Sequence, residues 1–359
     1  MQRGIPFFLF LCFLCSLFHV QDVAAMQLPV LENSAKTRPG AQTGEAATQI
    51  SAPSHPTTFG RTASQNQVNS TSAVISLGEA YKITAVKRRI GTPTKEERVH
   101  LPKINKQISS KCVMVMDAVT GETIFAKSPD TPRQPASTIK VLTGSIALKL
   151  LEKREKVGVS QKASRMPSSK VYLDPKKDYL ATDLINAVLL ASANDASVAL
   201  AEKIAGNEKK FAYMMTLRAK LWGAKRTICK TASGLTAKGQ QSTARDLANI
   251  FRHAMQNAEF ARRMKKRKVV TTEGKTLYNH NKALWRVKGT QAGKTGYTSA
   301  ARQTYVGQFS RDGERIVVAI MGSETMWSDV KKLVDYGFKK KQQLRYAKAA
   351  ASPPAAAIN

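Results

Sequence analysis

Three short groups of polar residues in this chain have the residue types and the spacing that acyl-transfer chemistry needs. Ser137 and Lys140 are three residues apart, a spacing that places two side chains on one face of a helix. A lysine in that position can accept the serine proton only when it is neutral, and burial or a second cation nearby lowers a lysine pKa. The pair therefore indicates a nucleophilic serine with a lysine as its base.

The second group, Ser192-Ala193-Asn194, lies between two predicted helices. A junction of this kind can point both polar side chains into a cleft, where the serine relays protons and the amide holds a peptide carbonyl. A helix stop followed by a helix cap would explain the same residues without any chemistry. The group is therefore a candidate only in combination with the others.

The third group is the run KTGYT at residues 294–298, which opens a predicted strand. Its glycine lets a substrate backbone approach the strand closely, and a substrate can then add to the sheet edge by main-chain hydrogen bonds. Lys294 would bring a second positive charge near Lys140. The alternative is a lysine that protects an exposed sheet edge against aggregation.

Two of the three groups have a second copy elsewhere in the chain. Ser328 and Lys331 repeat the first spacing in a predicted amphipathic helix, where a solvated face explains both residues, and residues 64–66 repeat the second group. The combination is more specific than any single member. The three groups follow one another in order, at a helix start, at a helix junction and on a strand.

Hydrophobic periodicity and turn residues predict the elements that must position these groups. In chain order they are a hairpin of strands 112–117 and 122–126, a buried helix 137–151, helices 182–191, 195–205, 209–221 and 243–256, strands 268–272, 293–298, 303–309 and 315–321, and a helix 327–338. The order predicts an α/β (α+β) fold in which an antiparallel sheet is flanked by helices and a helical subdomain is inserted. A ligand cleft is expected between the two halves.

Composition divides the 359 residues into four parts. Residues 1–25 contain an arginine, a short apolar run and then small residues, which is typical of a signal peptide; an uncleaved anchor is the alternative, although the run is short for a membrane span. Residues 26–100 are rich in Ser, Thr, Gln and Pro and predict a flexible spacer. Residues 101–340 form the globular domain, and 341–359 a basic and then Ala/Pro-rich tail. The signal predicts an exported protein of the periplasm or cell envelope, with loose membrane association as an open alternative.

The formal net charge of +32 is large for a chain of this length. A field of this sign favours a polyanionic partner. In the cytoplasm such a charge would suggest nucleic acid, but the predicted signal peptide argues against that partner. An exported chain would instead meet acidic wall polymers or an anionic membrane surface, while general solubility without a specific partner is the alternative.

Two of the four cysteines, Cys112 and Cys229, remain after removal of the signal peptide. An exported pair can form a disulfide, and two buried free thiols are an equal alternative. The spacing matches no zinc or haem motif.

In this order and context, the three polar groups are the motif set of penicillin-binding proteins and active-site serine β-lactamases. From about Ser110 to Phe338 the chain resembles the D-alanyl-D-alanine carboxypeptidases of low molecular mass, the serine peptidase family S11, whose members bind penicillin. Further stretches similar to family blocks are LLASANDA at 189–196, ASGL at 232–235, QSTARD at 241–246, NHN at 279–281 and KLVDYGF at 332–338. The resemblance implies the β-lactamase/penicillin-binding transpeptidase-like fold and makes 101–340 a serine DD-peptidase catalytic domain.

The resemblance also implies a reaction. Ser137 would attack the carbonyl between the two D-alanines that end a peptidoglycan stem pentapeptide, with Lys140 as base and the backbone N–H groups of Ser137 and Tyr297 as the oxyanion hole. The implied catalytic residues are Ser137, Lys140 and Ser192, and the implied substrate-binding residues are Asn194, Lys294, Thr295, Gly296, Tyr297 and Thr298. The implied partners are stem peptides and β-lactam inhibitors, and no cofactor or metal is implied.

Two departures from the family pattern concern recognition of the terminal carboxylate. After the third group, family members usually have Ala-Gly, whereas this chain has Ala301-Arg302 after Ala300. The stretch at 322–327 lacks an arginine that is often found there in the family. Arg302 is therefore a candidate substitute for binding the carboxylate.

Three functions stay open on the sequence alone. The first is the carboxypeptidase, and the second is a DD-endopeptidase that cuts peptide cross-links with the same site. The third is a non-catalytic basic protein that binds the cell wall, against which the intact polar groups argue. A β-lactamase is disfavoured because no glutamate stands in an obvious deacylation motif between the second and third groups.

Overall fold

A computed structural model of the protein describes residues 103–351. The predicted signal peptide, the predicted spacer and the end of the predicted tail lie outside the described residues. Across 103–351, no helix combines the length and the apolar character that crossing a membrane requires.

The described part contains strands and helices in a mixed order. The strands are β1 (Cys112–Asp117), β2 (Thr123–Lys127), β3 (Lys156–Val157), β4 (Tyr179–Leu180), β5 (Lys268–Val270), β6 (Thr276–Tyr278), β7 (Thr290–Thr298), β8 (Arg302–Arg311) and β9 (Glu314–Ser323). The α-helices are α1 (Lys140–Leu150), α2 (Gln161–Ser164), α3 (Ala181–Leu189), α4 (Asn194–Ala205), α5 (Glu208–Leu221), α6 (Ala244–Ala254), α7 (Ala258–Met264), α8 (Ala283–Arg286) and α9 (Met326–Ala351). Short 3₁₀ turns lie at Ile104–Lys106 and Ala136–Ile139.

The main sheet has five strands in the order β2-β1-β9-β8-β7, and every neighbouring pair is antiparallel. The first hairpin therefore joins the last three strands through the pairing of β1 with β9. Helices α1 to α7 are inserted in the chain between these two groups of strands. This arrangement confirms the predicted fold, an antiparallel sheet completed from both ends of the domain with a helical part inserted.

The central strands are buried on both faces of the sheet. On β1, Met114 and Met116 pack into the core that contains α1, whereas Val113 and Val115 pack into the core that contains residues of α9. Burial on both faces explains why β1 is apolar without alternation up to its final aspartate.

Helix α1 packs closely against α3 at Gly144. A Cβ on Gly144 would lie 2.4 Å from Leu189 Cδ2, so a larger residue would push the two helices apart. This contact fixes the position of α1, whose first turn carries the candidate base.

The helix predicted from Ser137 begins three residues later than expected. Residues Ala136–Ile139 form a 3₁₀ turn, and the α-helix starts at Lys140. Ala136 has φ of 50°, in the left-handed region, so a regular α-helix cannot run through it. The carbonyl of Pro135 accepts hydrogen bonds from the hydroxyls of Thr138 at 2.6 Å and Thr304 at 3.0 Å, which hold this turn.

The final helix is longer than predicted, because it continues past Phe338 to Ala351. Lys341 lies on the added turns, almost completely buried, with Nζ 2.6 Å from Asp117 Oδ2 and 2.6 Å from Glu314 Oε2. These ion pairs attach the last turns of the helix to the sheet, in a segment that composition alone predicted to be a tail.

Candidate active site

Ser137 and Lys140 meet at the start of α1. Lys140 is fully buried, and its Nζ lies 2.9 Å from Ser137 Oγ. The same nitrogen donates to Asn194 Oδ1 at 2.7 Å and to the backbone oxygen of Ser233 at 2.6 Å. These two oxygens can only accept, so they bind both N–H groups of a neutral amine and leave its lone pair for the Ser137 hydroxyl.

The surroundings of Lys140 favour its neutral form. Burial lowers the pKa of Lys140 well below the usual lysine range, and the charge of Lys294 lowers it further, while Asp195 acts in the opposite direction. The Asp195 carboxylate is itself buried and accepts the backbone N–H groups of Val171 at 3.0 Å and Leu173 at 3.2 Å. These surroundings favour the neutral amine, which is the form that can take a proton from Ser137.

The second polar group forms the turn between α3 and α4. Ser192 has φ of 60°, which residues with a β-carbon seldom adopt, and its Oγ accepts a 2.8 Å hydrogen bond from Lys294 Nζ. Asn194 begins α4; its amide nitrogen donates to the Pro167 carbonyl at 2.8 Å, and its oxygen accepts from Lys140. The turn thus contacts both lysines of the site.

The third polar group lies on β7, the edge strand of the main sheet. Lys294 is almost completely buried, and besides Ser192 its Nζ contacts the carbonyl oxygen of Thr295 at 2.9 Å. Burial lowers the pKa of Lys294 to about 7.

Gly296 allows β7 to approach the turn that carries Ser137. A Cβ on Gly296 would lie 2.8 Å from the backbone nitrogen of Ser137 and 2.5 Å from Thr304 Oγ1. Tyr297 follows on the same edge strand, with its side chain 60% exposed. Two main-chain segments thus meet beside Ser137, an arrangement that can offer N–H groups to an oxyanion.

Thr295 and Thr298 are both partly buried on β7. Thr298 Oγ1 accepts a hydrogen bond of 3.0 Å from Thr236 Oγ1 and one of 3.1 Å from the backbone N–H of Ala301. The end of the strand is thereby tied to the loop that carries Ser233.

The loop at 232–235 carries no signal in the sequence other than its similarity to a family block. In the structure, the Ser233 carbonyl is one of the two acceptors that orient Lys140. Gly234 has φ of 79°, and a Cβ there would lie 2.1 Å from the Ala136 carbonyl oxygen. The loop therefore supports both Lys140 and the turn that carries Ser137.

Arg302, the candidate for binding a substrate carboxylate, already has a carboxylate partner. Its Nε lies 3.0 Å from Glu324 Oε1 and its Nη2 2.5 Å from Glu324 Oε2, and both side chains are about half exposed. This bidentate pair joins the start of β8 to the residue after β9.

The second Ser-x-x-Lys copy has a different environment. Ser328 and Lys331 are exposed on α9, and Lys331 Nζ pairs with Asp335 Oδ2 at 2.9 Å. Burial, rather than spacing, therefore distinguishes Ser137 and Lys140 from this copy.

Cys112 and Cys229 are both free and buried. Burial raises the pKa of the Cys229 thiol to about 12, which keeps it protonated. Among the described residues, no three His, Cys, Asp or Glu side chains are grouped to hold a metal ion.

Known proteins resemble this chain along most of the described region. The family model for D-alanyl-D-alanine carboxypeptidase, peptidase S11, matches residues 95–325. The chain is 36% identical over 243 residues to the D-alanyl-D-alanine carboxypeptidase DacB2 of Mycobacterium tuberculosis, a match that covers 63% of this chain and 81% of that protein. It is 28% identical over 248 residues to DacF of Bacillus subtilis, which covers 64% of this chain and 62% of that protein.

Solved structures of a carboxypeptidase and of a penicillin-binding protein also resemble this chain. A D-alanyl-D-alanine carboxypeptidase from Mycobacterium tuberculosis superposes with a TM-score of 0.63 at 33% identity, over 67% of this chain and 93% of that chain. Penicillin-binding protein D2 from Listeria monocytogenes, with ampicillin bound, gives 0.59 at 27% identity, over 64% and 98%. The family model spans more than half of the chain, and the protein belongs to the D-alanyl-D-alanine carboxypeptidase family of serine peptidases.

Proposed function

We propose that this protein is a serine D-alanyl-D-alanine carboxypeptidase that removes the terminal D-alanine from peptidoglycan stem pentapeptides. The observation that carries the proposal is the buried Lys140, with Nζ 2.9 Å from Ser137 Oγ and its N–H groups bound by Asn194 and Ser233. The names of the relatives in Mycobacterium tuberculosis and Bacillus subtilis support the same reaction.

Acylation is the first half of the reaction. Ser137 Oγ attacks the carbonyl carbon between the two D-alanines, and Lys140 Nζ takes the hydroxyl proton. The negative charge moves to the former carbonyl oxygen, which the backbone N–H groups of Ser137 and Tyr297 stabilise. The C–N bond then breaks, the terminal D-alanine leaves with the proton on its amine, and the remaining peptide is esterified to Ser137.

Hydrolysis of the ester is the second half. A water molecule attacks the ester carbonyl and gives its proton to Lys140, and the bond to Ser137 Oγ breaks as that oxygen regains a proton. The Ser192 hydroxyl relays protons to the leaving groups, and the 2.8 Å hydrogen bond that it accepts from Lys294 Nζ orients it for this task. The products are the shortened stem peptide and free D-alanine.

The substrate binds along the edge of β7. Main-chain hydrogen bonds to this edge strand place the scissile carbonyl beside Ser137, which lies next to Gly296 near the end of β7. The side chains and backbone groups that hold it are those of Asn194, Lys294, Thr295, Gly296, Tyr297 and Thr298. A β-lactam acylates the same serine, an expectation supported by the ampicillin bound in the related Listeria structure.

The reaction belongs outside the cytoplasm, in the periplasm or cell envelope, because its peptidoglycan substrate is there. The predicted signal peptide supports this location. The large positive charge suits a chain that works next to anionic envelope polymers or lipids.

A paired acylation experiment tests the serine mechanism. Purified protein is incubated with a fluorescent penicillin, alongside Ser137→Ala and Ser328→Ala, which remove the serine of each Ser-x-x-Lys copy. We expect covalent label on the parent protein and on Ser328→Ala, and none on Ser137→Ala. An unlabelled parent protein, or label that persists in Ser137→Ala, would contradict the acyl-enzyme.

A second measurement separates the carboxypeptidase from its alternatives. A stem pentapeptide and a cross-linked dimer that lacks pentapeptide ends are supplied in separate reactions. Free D-alanine from the pentapeptide, lost in Ser137→Ala, is the expected result. Cleavage of the dimer alone would identify an endopeptidase, and no cleavage of either would indicate a wall-binding protein without activity.

A further inference from the structure

The segment at 262–288 concentrates positive charge. It holds ten Lys or Arg residues and a single acid, Glu273. Arg262 and Arg263 pair with Glu259 within α7, and Arg263 is buried. The other cations lie beyond these pairs, on the short β5–β6 hairpin and the elements that flank it.

The β5–β6 hairpin turns one face to solvent. Lys268 pairs with Tyr278 and Val270 with Thr276 in the antiparallel register, so these four side chains share the outer face. They are all exposed, whereas Val269 and Leu277 of the opposite face are partly or fully buried.

Trp285 on α8 extends this outer face. The guanidinium of Arg267 lies 5.3 Å from the centroid of the Trp285 ring, and its Nη2 donates to the Leu284 carbonyl at 3.0 Å. The Arg267 carbonyl in turn accepts the backbone N–H of Asn279 at 2.8 Å, next to the end of β6. Hairpin and helix therefore present one continuous surface.

We call this surface the basic–aromatic face. It consists of Lys265, Lys266, Arg267, Lys268, Val270, Tyr278, Lys282, Trp285 and Arg286. Among residues 103–351, no carboxylate forms an ion pair with any of its cations. Val270, Tyr278 and Trp285 are 60%, 64% and 50% exposed, although no stability is gained by leaving large apolar side chains in water.

We propose that the basic–aromatic face binds the surface of a bilayer that contains anionic phospholipid. Lysines and arginines are attracted to the negative head groups, and exposed Trp and Tyr rings favour the interface between head groups and acyl chains. An acidic wall polymer would satisfy the cations but would give no reason for exposed Val270 and Trp285. A bilayer offers binding partners both to the cations and to the exposed apolar side chains of the face.

The face lies next to the candidate active site. The backbone N–H of His280, between β6 and Lys282, donates to the carbonyl of Leu190 at 3.1 Å, two residues before Ser192. Docking at this face therefore holds the cleft near the membrane surface. The proposal does not depend on the acyl-enzyme chemistry, so binding and acylation are measured separately.

Vesicle sedimentation tests the proposal with the full chain. The protein is mixed with phosphatidylcholine vesicles, with or without phosphatidylglycerol, at low and at high salt. We expect binding only to the anionic vesicles, weakened by salt because surface charges are screened. Equal binding to neutral vesicles, or no binding to either, would overturn the proposal.

Two variants measure separately how the charges and the apolar side chains of the face contribute to vesicle binding. The charge variant, K265Q/K266Q/K268Q, should reduce partitioning to anionic vesicles by about tenfold or more. Its control, K209Q/K210Q/K220Q on α5, removes the same charge from other exposed positions and should change partitioning by less than about twofold. An equal loss in both would mean that net charge, and not this face, drives binding.

The apolar variant, Val270→Ser with Trp285→Ser, decides between a bilayer and a soluble polyanion. It should lose vesicle binding while keeping retention on a dextran sulfate column. Unchanged vesicle binding would contradict insertion and favour a polyanion. Penicillin labelling of every variant verifies folding, since none of these residues touches the candidate active site.

Discussion

At the residue scale, the two lysines of the site have different tasks although both are buried. Lys140 contacts Ser137 Oγ, while Lys294 contacts Ser192 Oγ and carries the charge that helps to lower the pKa of Lys140. In the proposed mechanism, Lys140 is the base, and the charge of Lys294 helps to keep it neutral.

These different tasks of the two lysines predict that replacing Lys294 shifts the pH dependence of acylation. Acylation by penicillin should rise with pH as Lys140 loses its proton, because only the neutral amine can accept the proton of Ser137. Lys294→Met removes a positive charge that lowers the pKa of Lys140, so the rising part of the pH profile should move to higher pH. Stopped-flow measurement of acylation rates across the pH range determines the shift.

The matched control for this shift is Lys339→Met, which removes an exposed lysine of α9. Its pH profile should coincide with that of the parent protein, because a solvated charge on another element is screened. If the profile of Lys294→Met also coincides with the parent profile, a group other than Lys140 controls the rise.

At the element scale, α9 is joined to the sheet well beyond its predicted end. Lys341 Nζ lies between Asp117 at the end of β1 and Glu314 at the start of β9, and it also contacts the Arg315 carbonyl at 3.3 Å. Burial raises the pKa of Asp117, but hydrogen bonds from Lys341 and from the backbone N–H groups of Thr120 and Val119 lower it more.

Lys341→Ala should therefore destabilise the fold. The change leaves the largely buried Asp117 carboxylate without its cation, and the expected loss in free energy of unfolding is about 3 kcal/mol. Lys339→Ala, two residues earlier and exposed, should change it by less than about 0.5 kcal/mol. Urea denaturation of both variants measures the difference, and equal losses would show that the Lys341 ion pairs do not anchor α9.

At the scale of the whole molecule, Asp329 joins segments that are far apart in the chain. Its buried carboxylate accepts hydrogen bonds from the backbone N–H and the hydroxyl of Ser110, at 2.8 and 2.6 Å, and from the Ser323 hydroxyl at 2.8 Å. Ser109 contributes two further bonds. The residues that precede β1 are thereby tied to the end of β9 and the first turn of α9.

The pKa of Asp329 predicts how stability depends on pH. Burial raises this pKa, but the hydrogen bonds from Ser110, Ser323 and Ser109 outweigh burial and lower it below the ordinary value. A lowered folded-state pKa stabilises the protein above the unfolded-state pKa of about 4, and the benefit is lost as pH falls through the folded-state value.

Asp329→Asn should cost about 2 kcal/mol of unfolding free energy at neutral pH, because a charged acceptor of several hydrogen bonds is lost. The fall in stability between neutral pH and about pH 3 should also be smaller than in the parent protein. Asp312→Asn, an exposed acid in the β8–β9 turn, serves as control. Denaturation at neutral pH and at about pH 3 measures the free energy of unfolding of each variant. An unchanged pH dependence of stability in Asp329→Asn would contradict the proposed contribution of the Asp329 carboxylate.

Much of the fold could be predicted because its signals are local. The apolar runs of β1 and β9 and the periodicity of α1, α4 and α6 are read from neighbouring residues, and their order along the chain limits the possible sheets. The limits of the elements were less predictable. The 3₁₀ turn at Ala136–Ile139, which Thr304 helps to hold, delays α1, and the ion pairs of Lys341 extend α9. Both features depend on residues distant in sequence.

The sequence by itself determined the family, the order of strands and helices, and which serine, lysine and asparagine residues belong together. Only the tertiary structure decided what holds them: the Ser233 carbonyl and the burial that favour a neutral Lys140, the free state of the two cysteines, and the Glu324 partner of Arg302. The physical reason is that motif spacing records residue identity and local geometry. Burial, charge proximity and hydrogen-bond partners arise from segments that folding alone brings together.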